Sequence, residues 1–163
     1  MKKSLIFGLM LALVLGLSAC GDKGSFNLEE DYKYYDESFE HEELSYWIFN
    51  HNSVVVYGTT SHSGKLVIPS KVKYEGSTYY VVGIGANAFK SCYGLTSVKI
   101  PSTVKVIGSR AFSSCSQLTS INLPKGLIQL GEEAFASSGI TSITIPKGVT
   151  EIEKSTFSRC KHL

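Results

Sequence analysis

The stretch IGSRAFSSCSQLTSINLP, residues 107–124, decides the fold, because close copies of it stand on either side. Ile84-Gly85-Ala86-Asn87-Ala88-Phe89 precedes it; Leu130-Gly131-Glu132-Glu133-Ala134-Phe135 and Ile152-Glu153-Lys154-Ser155-Thr156-Phe157 follow it. Their starts differ by 23, 23 and 22 residues. A fixed period of this length marks a repeat architecture, in which each unit buries its apolar side only against its neighbours. The missing residue can be located. Phe112 to Leu118 is six steps, whereas Phe135 to Ile140 is five, through Ala136-Ser137-Ser138-Gly139. Gly139 is expected to close this shortened turn with dihedrals that other residues avoid.

After each phenylalanine comes an alternating segment: LTSVKIP (95–101), LTSINLP (118–124) and ITSITIP (140–146). Alternation, β-branched residues and a terminal proline without an amide donor mark short strands. A second apolar pair follows, Val104/Ile107, Leu127/Leu130 and Val149/Ile152, before the next Ala-Phe turn. That turn is expected to be a single helical turn, with Ser109 as N-cap and Glu132 and Glu133 favouring a helix start. Coils stacked about 4.8 Å apart align Phe with Phe and Ile with Ile into interior ladders. The prediction is a solenoid with one short parallel strand per coil of about 23 residues, one main parallel sheet, and short helical or irregular returns.

Ahead of the repeats, Tyr46-Trp47-Ile48-Phe49, a polar turn at Asn50-His51-Asn52 and Val54-Val55-Val56-Tyr57 read as a β-hairpin covering the open N-terminal end of the stack. Val72 to Val81 reads as a second hairpin around Glu75-Gly76-Ser77. The chain divides into a leader at 1–19, an acidic flexible spacer at 20–43, an N-terminal β cap and lead-in at 44–82, and repeats at 83–163, the last one incomplete. It stops at Cys160-Lys161-His162-Leu163, just where the alternating segment is due, so it reads as a fragment of a longer array.

The pattern I-G-x-x-A-F-x-x-C-x-x-L-T-S-I-x-I-P resembles the BspA-type (Treponema-type) leucine-rich repeats of bacterial surface proteins, over roughly residues 64–163. The lead-in Gly64-Lys65-Leu66-Val67-Ile68-Pro69 is also similar to that family. The resemblance implies a leucine-rich-repeat-like fold, secretion or surface anchoring, adhesion or partner binding, and no catalysis. It further implies that the polar residues between the inward strand positions face a concave surface. These are Thr96/Thr119/Thr141, Ser97/Ser120/Ser142 and Lys99/Asn122/Thr144, of which Ser97, Lys99, Ser120, Asn122, Ser142 and Thr144 are the candidate binding residues. The strip offers hydrogen bonds but no aromatic anchors, so it should bind weakly.

The first nineteen residues read as a signal peptide. Lys2 and Lys3 precede an apolar run from Leu5 to Leu17, broken only by Gly8 and Gly16, which is short of the roughly 20 apolar residues of a spanning helix. Leu17-Ser18-Ala19-Cys20 then resembles a lipobox. Cys20 is the expected lipidation site, its thiol carrying the diacylglycerol that anchors the chain to a bacterial membrane outside the cytoplasm. Two acyl chains suffice for stable attachment.

The chain has 16 Lys and Arg against 14 Asp and Glu, a formal net charge of +2. The excess is Lys2 and Lys3, so the mature chain is neutral and offers no basic face for nucleic acid. Eight acids lie between Asn27 and Asn50, a solvated run without the spaced ligands of a calcium loop. Cys92, Cys115 and Cys160 each sit three residues after a repeat phenylalanine, and Ser138 takes that place in the short repeat. A periodic position argues for reduced, buried wall residues. A Cys92–Cys115 disulfide has an accessible distance but a poor geometry, because ladder side chains run parallel. His41, His51, His62 and His162 share no phase and read as surface or turn residues. No metal site, cofactor or catalytic constellation can be placed, and no enzyme is expected. The expected role is adhesion or protein–protein interaction. Two alternatives stay open: a glycan-binding lipoprotein using Trp47 and nearby aromatics, and a structural spacer without a ligand.

Overall fold

The computed structural model describes residues 37–59 and 62–163. Ten strands follow one another: β1 (Glu37–His41), β2 (Leu44–Asn50), β3 (Ser53–Thr59), β4 (Gly64–Val67), β5 (Lys71–Tyr74), β6 (Ser77–Ile84), β7 (Leu95–Lys99), β8 (Val106–Ile107), β9 (Ser120–Asn122) and β10 (Gln129–Leu130). They form a repeat solenoid with two sheets. One runs β1-β2-β3-β6-β8-β10 with β5 paired to β6; the other runs β4-β7-β9.

The alternating segments make the three-stranded parallel sheet, in register Ser97↔Ser120, Val98↔Ile121 and Lys99↔Asn122. The second member of the apolar pair in two coils, Ile107 and Leu130, expected only as core, also lies in a short strand together with the residue before it. Gly83, Val106 and Gln129 align, as do Ile84, Ile107 and Leu130. Each complete coil therefore contributes two short parallel strands rather than one.

The Ala-Phe turns are not helical. In every coil two non-glycine residues adopt left-handed φ, Asn87 and Ser91, Arg110 and Ser114, Glu133 and Ser137, Ser155 and Arg159, with φ between 53° and 62°. A helix cannot run through such residues. Hydrogen bonds between coils offset the strain: Asn87 N–H donates to Ser109 O (2.9 Å), Phe89 to Ala111 O (2.8 Å) and Ser91 to Ser113 O (2.8 Å), and the next coils repeat the pattern. The turns thus form a third ladder of their own.

Inside lie the expected stacks. Phe89, Phe112, Phe135 and Phe157 run ring on ring, with centroids 5.2, 5.4 and 5.8 Å apart and planes within 9° of parallel. Ile84, Ile107 and Leu130 are buried beside them, but Ile152, their counterpart in the last coil, is 50% exposed.

That last coil is only half joined to the stack. Its turn is laddered, Phe135 N–H donating to Thr156 O (2.9 Å) and Ser137 N–H to Ser158 O (2.7 Å). The segment 140–146 joins no sheet, although its alternation matches β7 and β9. The last coil differs from the others at two positions, 153 and the shortened turn at Gly139. Gly108 and Gly131 lie so close to the preceding coil that a Cβ would stand 2.6 Å from Ala86 N and 2.5 Å from Ser109 N; Glu153 occupies the same place in the last coil and carries a Cβ. The shortened turn closes at Gly139, whose φ is not left-handed; a side chain there is excluded instead by Ser116 O.

The aromatic hairpin is present as β2 and β3, antiparallel, with β3 parallel to β6 so that it continues the stack. The second hairpin is β5 and β6, turning through Glu75 (φ 47°) and Gly76 (φ 78°). Part of the acidic run taken as spacer is strand: β1 pairs with β2 because Phe39, alone apolar in Glu37–His41, turns inward. Phe39 stacks on Tyr74 (4.2 Å, 5°) and Tyr46 (5.3 Å, 20°) and closes the N-terminal end of the core.

Candidate functional site

The outward face of β4-β7-β9 carries two rows at strand spacing. Lys65, Ser97 and Ser120 form one, and Val67, Lys99 and Asn122 the other, each aligned by the parallel register. Leu66, Val98 and Ile121 between them point inward and are buried. The sequence reading missed Lys65 and Val67, because β4 precedes the first recognisable repeat unit. Its alternation, Gly64-Lys65-Leu66-Val67-Ile68, was the available signal. Val67 is 63% exposed, an apolar residue within an otherwise polar face.

Ser142 and Thr144 are not part of these rows. They face Ser120 and Asn122 across a groove of about 310 Å³, whose wall also includes Ile121, Ile143 and Lys125. Lys125 is the only charged residue in that wall. Thr119 and Thr141 reach back across the coils, their hydroxyls 3.5 Å from Thr96 O and Thr119 O. The six row residues and the groove wall together include Lys65, Lys99 and Lys125 and no acidic residue, which suits an acceptor-rich or acidic partner.

Trp47 lies on the other side of the hairpin from Tyr46. It is half-buried and stacks face to face on Tyr57, centroids 4.2 Å apart and planes at 8°. Cys20 and the signal peptide lie outside the described residues.

The periodic cysteines are free thiols, but only Cys115 is buried as expected; Cys92 and Cys160 lie half-buried, and Cys115 and Cys160 tie coils together. Cys115 Sγ donates to Phe89 O (3.1 Å) and Cys160 Sγ to Phe135 O (3.0 Å), each reaching one coil back. Burial pushes the Cys115 thiol up to about 12 and raises that of Cys92 as well. A thiol held protonated is a poor nucleophile. His62, read as a surface or turn residue, lies in the connection between β3 and β4 with a side chain 11% exposed; Nδ1 faces the Glu43 carboxylate and Nε2 lies 3.1 Å from Lys65 O. It fastens the β1–β2 turn to β4, a long-range pairing that no spacing signals.

A solenoid of short parallel strands on a 23-residue period, with a phenylalanine stack inside, defines a leucine-rich repeat protein. The chain belongs to the BspA-type leucine-rich repeat family, whose model matches residues 82–163 in six copies. Among curated proteins there is no match. Solved structures of bacterial leucine-rich repeat proteins share the fold. A leucine-rich repeat protein from Bacteroides ovatus is 35% identical at a TM-score of 0.63, over 79% of this chain and 40% of its own. One from Bacteroides capillosus is 27% identical at 0.68, over 76% of this chain and 93% of its own. A leucine-rich cell surface protein from Faecalibacterium prausnitzii is 26% identical at 0.61, over 78% of this chain and 41% of its own. The chain thus spans about two fifths of the Bacteroides ovatus and Faecalibacterium prausnitzii proteins.

Proposed function

We propose that the protein is a lipid-anchored module displayed outside the cytoplasm, binding a protein partner through the outward face of β4-β7-β9. The observation that carries this reading is the pair of aligned rows, Lys65-Ser97-Ser120 and Val67-Lys99-Asn122, open to solvent and free of carboxylates. Cell-surface display is supported by the similar Faecalibacterium prausnitzii protein, described as a leucine-rich cell surface protein. Anchoring is supported by Leu17-Ser18-Ala19-Cys20 behind a short apolar run. Replacing Cys20 with Ser should move the protein from the membrane to the soluble fraction; unchanged partition overturns the anchor.

Binding is tested with purified residues 21–163 against extracted surface proteins of neighbouring cells and a glycan array. A captured protein lost on Lys99→Ala with Asn122→Ala, and kept on Trp47→Ala, is the expected result. A second reading, glycan binding, is favoured by the stacked Trp47–Tyr57 pair on the opposite side of the hairpin. Loss of a glycan signal on Trp47→Ala alone would select it. Absence of binding to either set leaves a spacer role.

A further inference from the structure

We propose that the free edge of β9 takes an extended polypeptide segment as an added strand, laid in the groove between Ser120–Asn122 and residues 141–146. The inference rests on the reading of this face as a binding surface and specifies how the partner is held.

The three-stranded sheet stops at β9 although the chain supplies a fourth segment of the same pattern. Gly139 N–H still donates to Cys115 O (3.1 Å), so the coils are fastened up to that point. Beyond it they part, and no backbone hydrogen bond joins Ser120–Asn122 to residues 141–146. The side of β9 turned away from β7 therefore presents strand amides and carbonyls to the groove. An unpaired row of this kind is a template for another chain.

The opposite edge of the sheet is guarded. His62 Nε2 sits on Lys65 O, and Glu43 holds the ring there. The β9 edge, by contrast, opens onto a cavity, and at about 310 Å³ that cavity admits a short peptide. β9 has three residues, so its edge is about 10 Å long and matches three or four residues of an added strand. The half-buried Ile143 provides apolar wall, Ser120, Asn122 and Ser142 hydroxyl and amide partners, and Lys125 a single cation. The fitting occupant is thus an extended segment with small or β-branched side chains and a carboxylate, from a side chain or a C-terminus, at the Lys125 end. A sugar chain lacks the alternating N–H and C=O groups that the edge requires.

The probe is a six-residue peptide of alternating threonine and valine with a free C-terminal carboxylate, titrated onto the full chain. Hydrogen exchange at the Ser120–Asn122 amides should slow on binding. Methylating alternate peptide amides should weaken binding at least tenfold. Amidating the C-terminus should weaken it several-fold, a difference that Lys125→Ala removes. The proposal is overturned if the methylated peptide binds equally well, or if no peptide binds at millimolar concentration. It also falls if the Ser120–Asn122 amides of the free protein are as protected as those of Ser97–Lys99, which would mean that residues 141–146 close the edge themselves. A partner protein lost on Lys99→Ala with Asn122→Ala, while all peptides fail, leaves the binding face standing and removes strand addition. The reverse pattern removes the face and keeps the edge.

Discussion

A Cβ placed on Gly131 would stand 2.5 Å from the backbone nitrogen of Ser109, and Gly108 meets Ala86 in the same way one coil earlier. At Gly108 and Gly131 the repeat turn carries a glycine where neighbouring coils approach backbone to backbone. Gly131→Ala must push two coils apart, since its three nearest atoms all belong to the main chain. Its expected cost is about 1–3 kcal/mol, as for other overpacked sites. Gly126→Ala is the control, because its nearest neighbour is the mobile end of Lys105, 2.6 Å away. It should stay within about 0.5 kcal/mol. Urea unfolding of both variants measures the difference; equal effects would refute the close-packing role.

The phenylalanine stack makes a graded prediction. Phe112 lies between Phe89 and Phe135 at 5.2 and 5.4 Å, whereas Phe157 touches one ring and is half-buried. Phe112→Ala should cost about 3–5 kcal/mol through lost transfer energy and the cavity left behind. Phe157→Ala should cost about half as much, having less surface to lose. Similar losses at both positions would show that the core does not thin toward the last coil.

Thiol reactivity should follow the coil bonds. Cys115 is fully buried, its Sγ donates to Phe89 O, and burial raises it to about 12. At pH 8 its thiolate fraction is then of order one in ten thousand. Alkylation read site by site in a mass spectrometer should spare Cys115 in the folded protein and modify it after unfolding. Labelling of Cys115 as fast as Cys160 in the native state would contradict the assignment.

Arg110 and Glu133, 23 positions apart, meet across adjacent turns at 2.7 Å. The hydrogen bond from Arg110 holds the Glu133 carboxyl below its ordinary range. A depressed carboxyl stabilises the fold above its unfolded value, about 4.3, and loses that contribution as pH falls through the lower folded value. Glu133→Gln should therefore melt lower than the parent at pH 7 and converge with it on acidification. The gap should be small, about 1–2 °C, because both partners are partly exposed. A constant gap from pH 7 to pH 2 would exclude the pairing as its cause.

How much of this was legible depended on whether the signal was periodic. The phenylalanine stack and two of the three alternating strands follow from spacing, since identical residues at identical intervals must share an interior position, and both hairpins from apolar runs flanking polar turns. The second strand of each coil was not legible, because two residues such as Val106-Ile107 carry no alternation; pairing with the neighbouring coil makes them a strand. The left-handed turns were equally hidden. Arg110 and Glu133 have no intrinsic preference for positive φ, and bonds from the adjacent coil impose it. His62 and Lys125 owe their positions to partners far along the chain or to a groove that exists only where the repeat fails. Within the candidate site the rows through Lys99 and Asn122 were legible, but the separation of Ser142 and Thr144 from them was not.

That separation leads back to Glu153, which stands where the other coils have glycine. Gly108 N–H donates to Ile84 O (2.8 Å) and Gly131 N–H to Ile107 O (2.9 Å), but residue 153 makes no such bond to Leu130. If the Glu153 Cβ holds the last coil away from β10, then Glu153→Gly should let the second ladder extend by one coil. The residue 153 amide should exchange more slowly, by about tenfold for each 1.4 kcal/mol of added protection. Ile152 should also become less exposed, read as reduced labelling of its surroundings by hydroxyl radicals. The Ser120–Asn122 edge should narrow in step, because residues 141–146 are drawn in from both ends. Unchanged exchange at residue 153 would shift the cause of the opening onto the shortened turn at Gly139. Inserting one serine between Ser138 and Gly139, which restores the 23-residue spacing, should then close the coil instead.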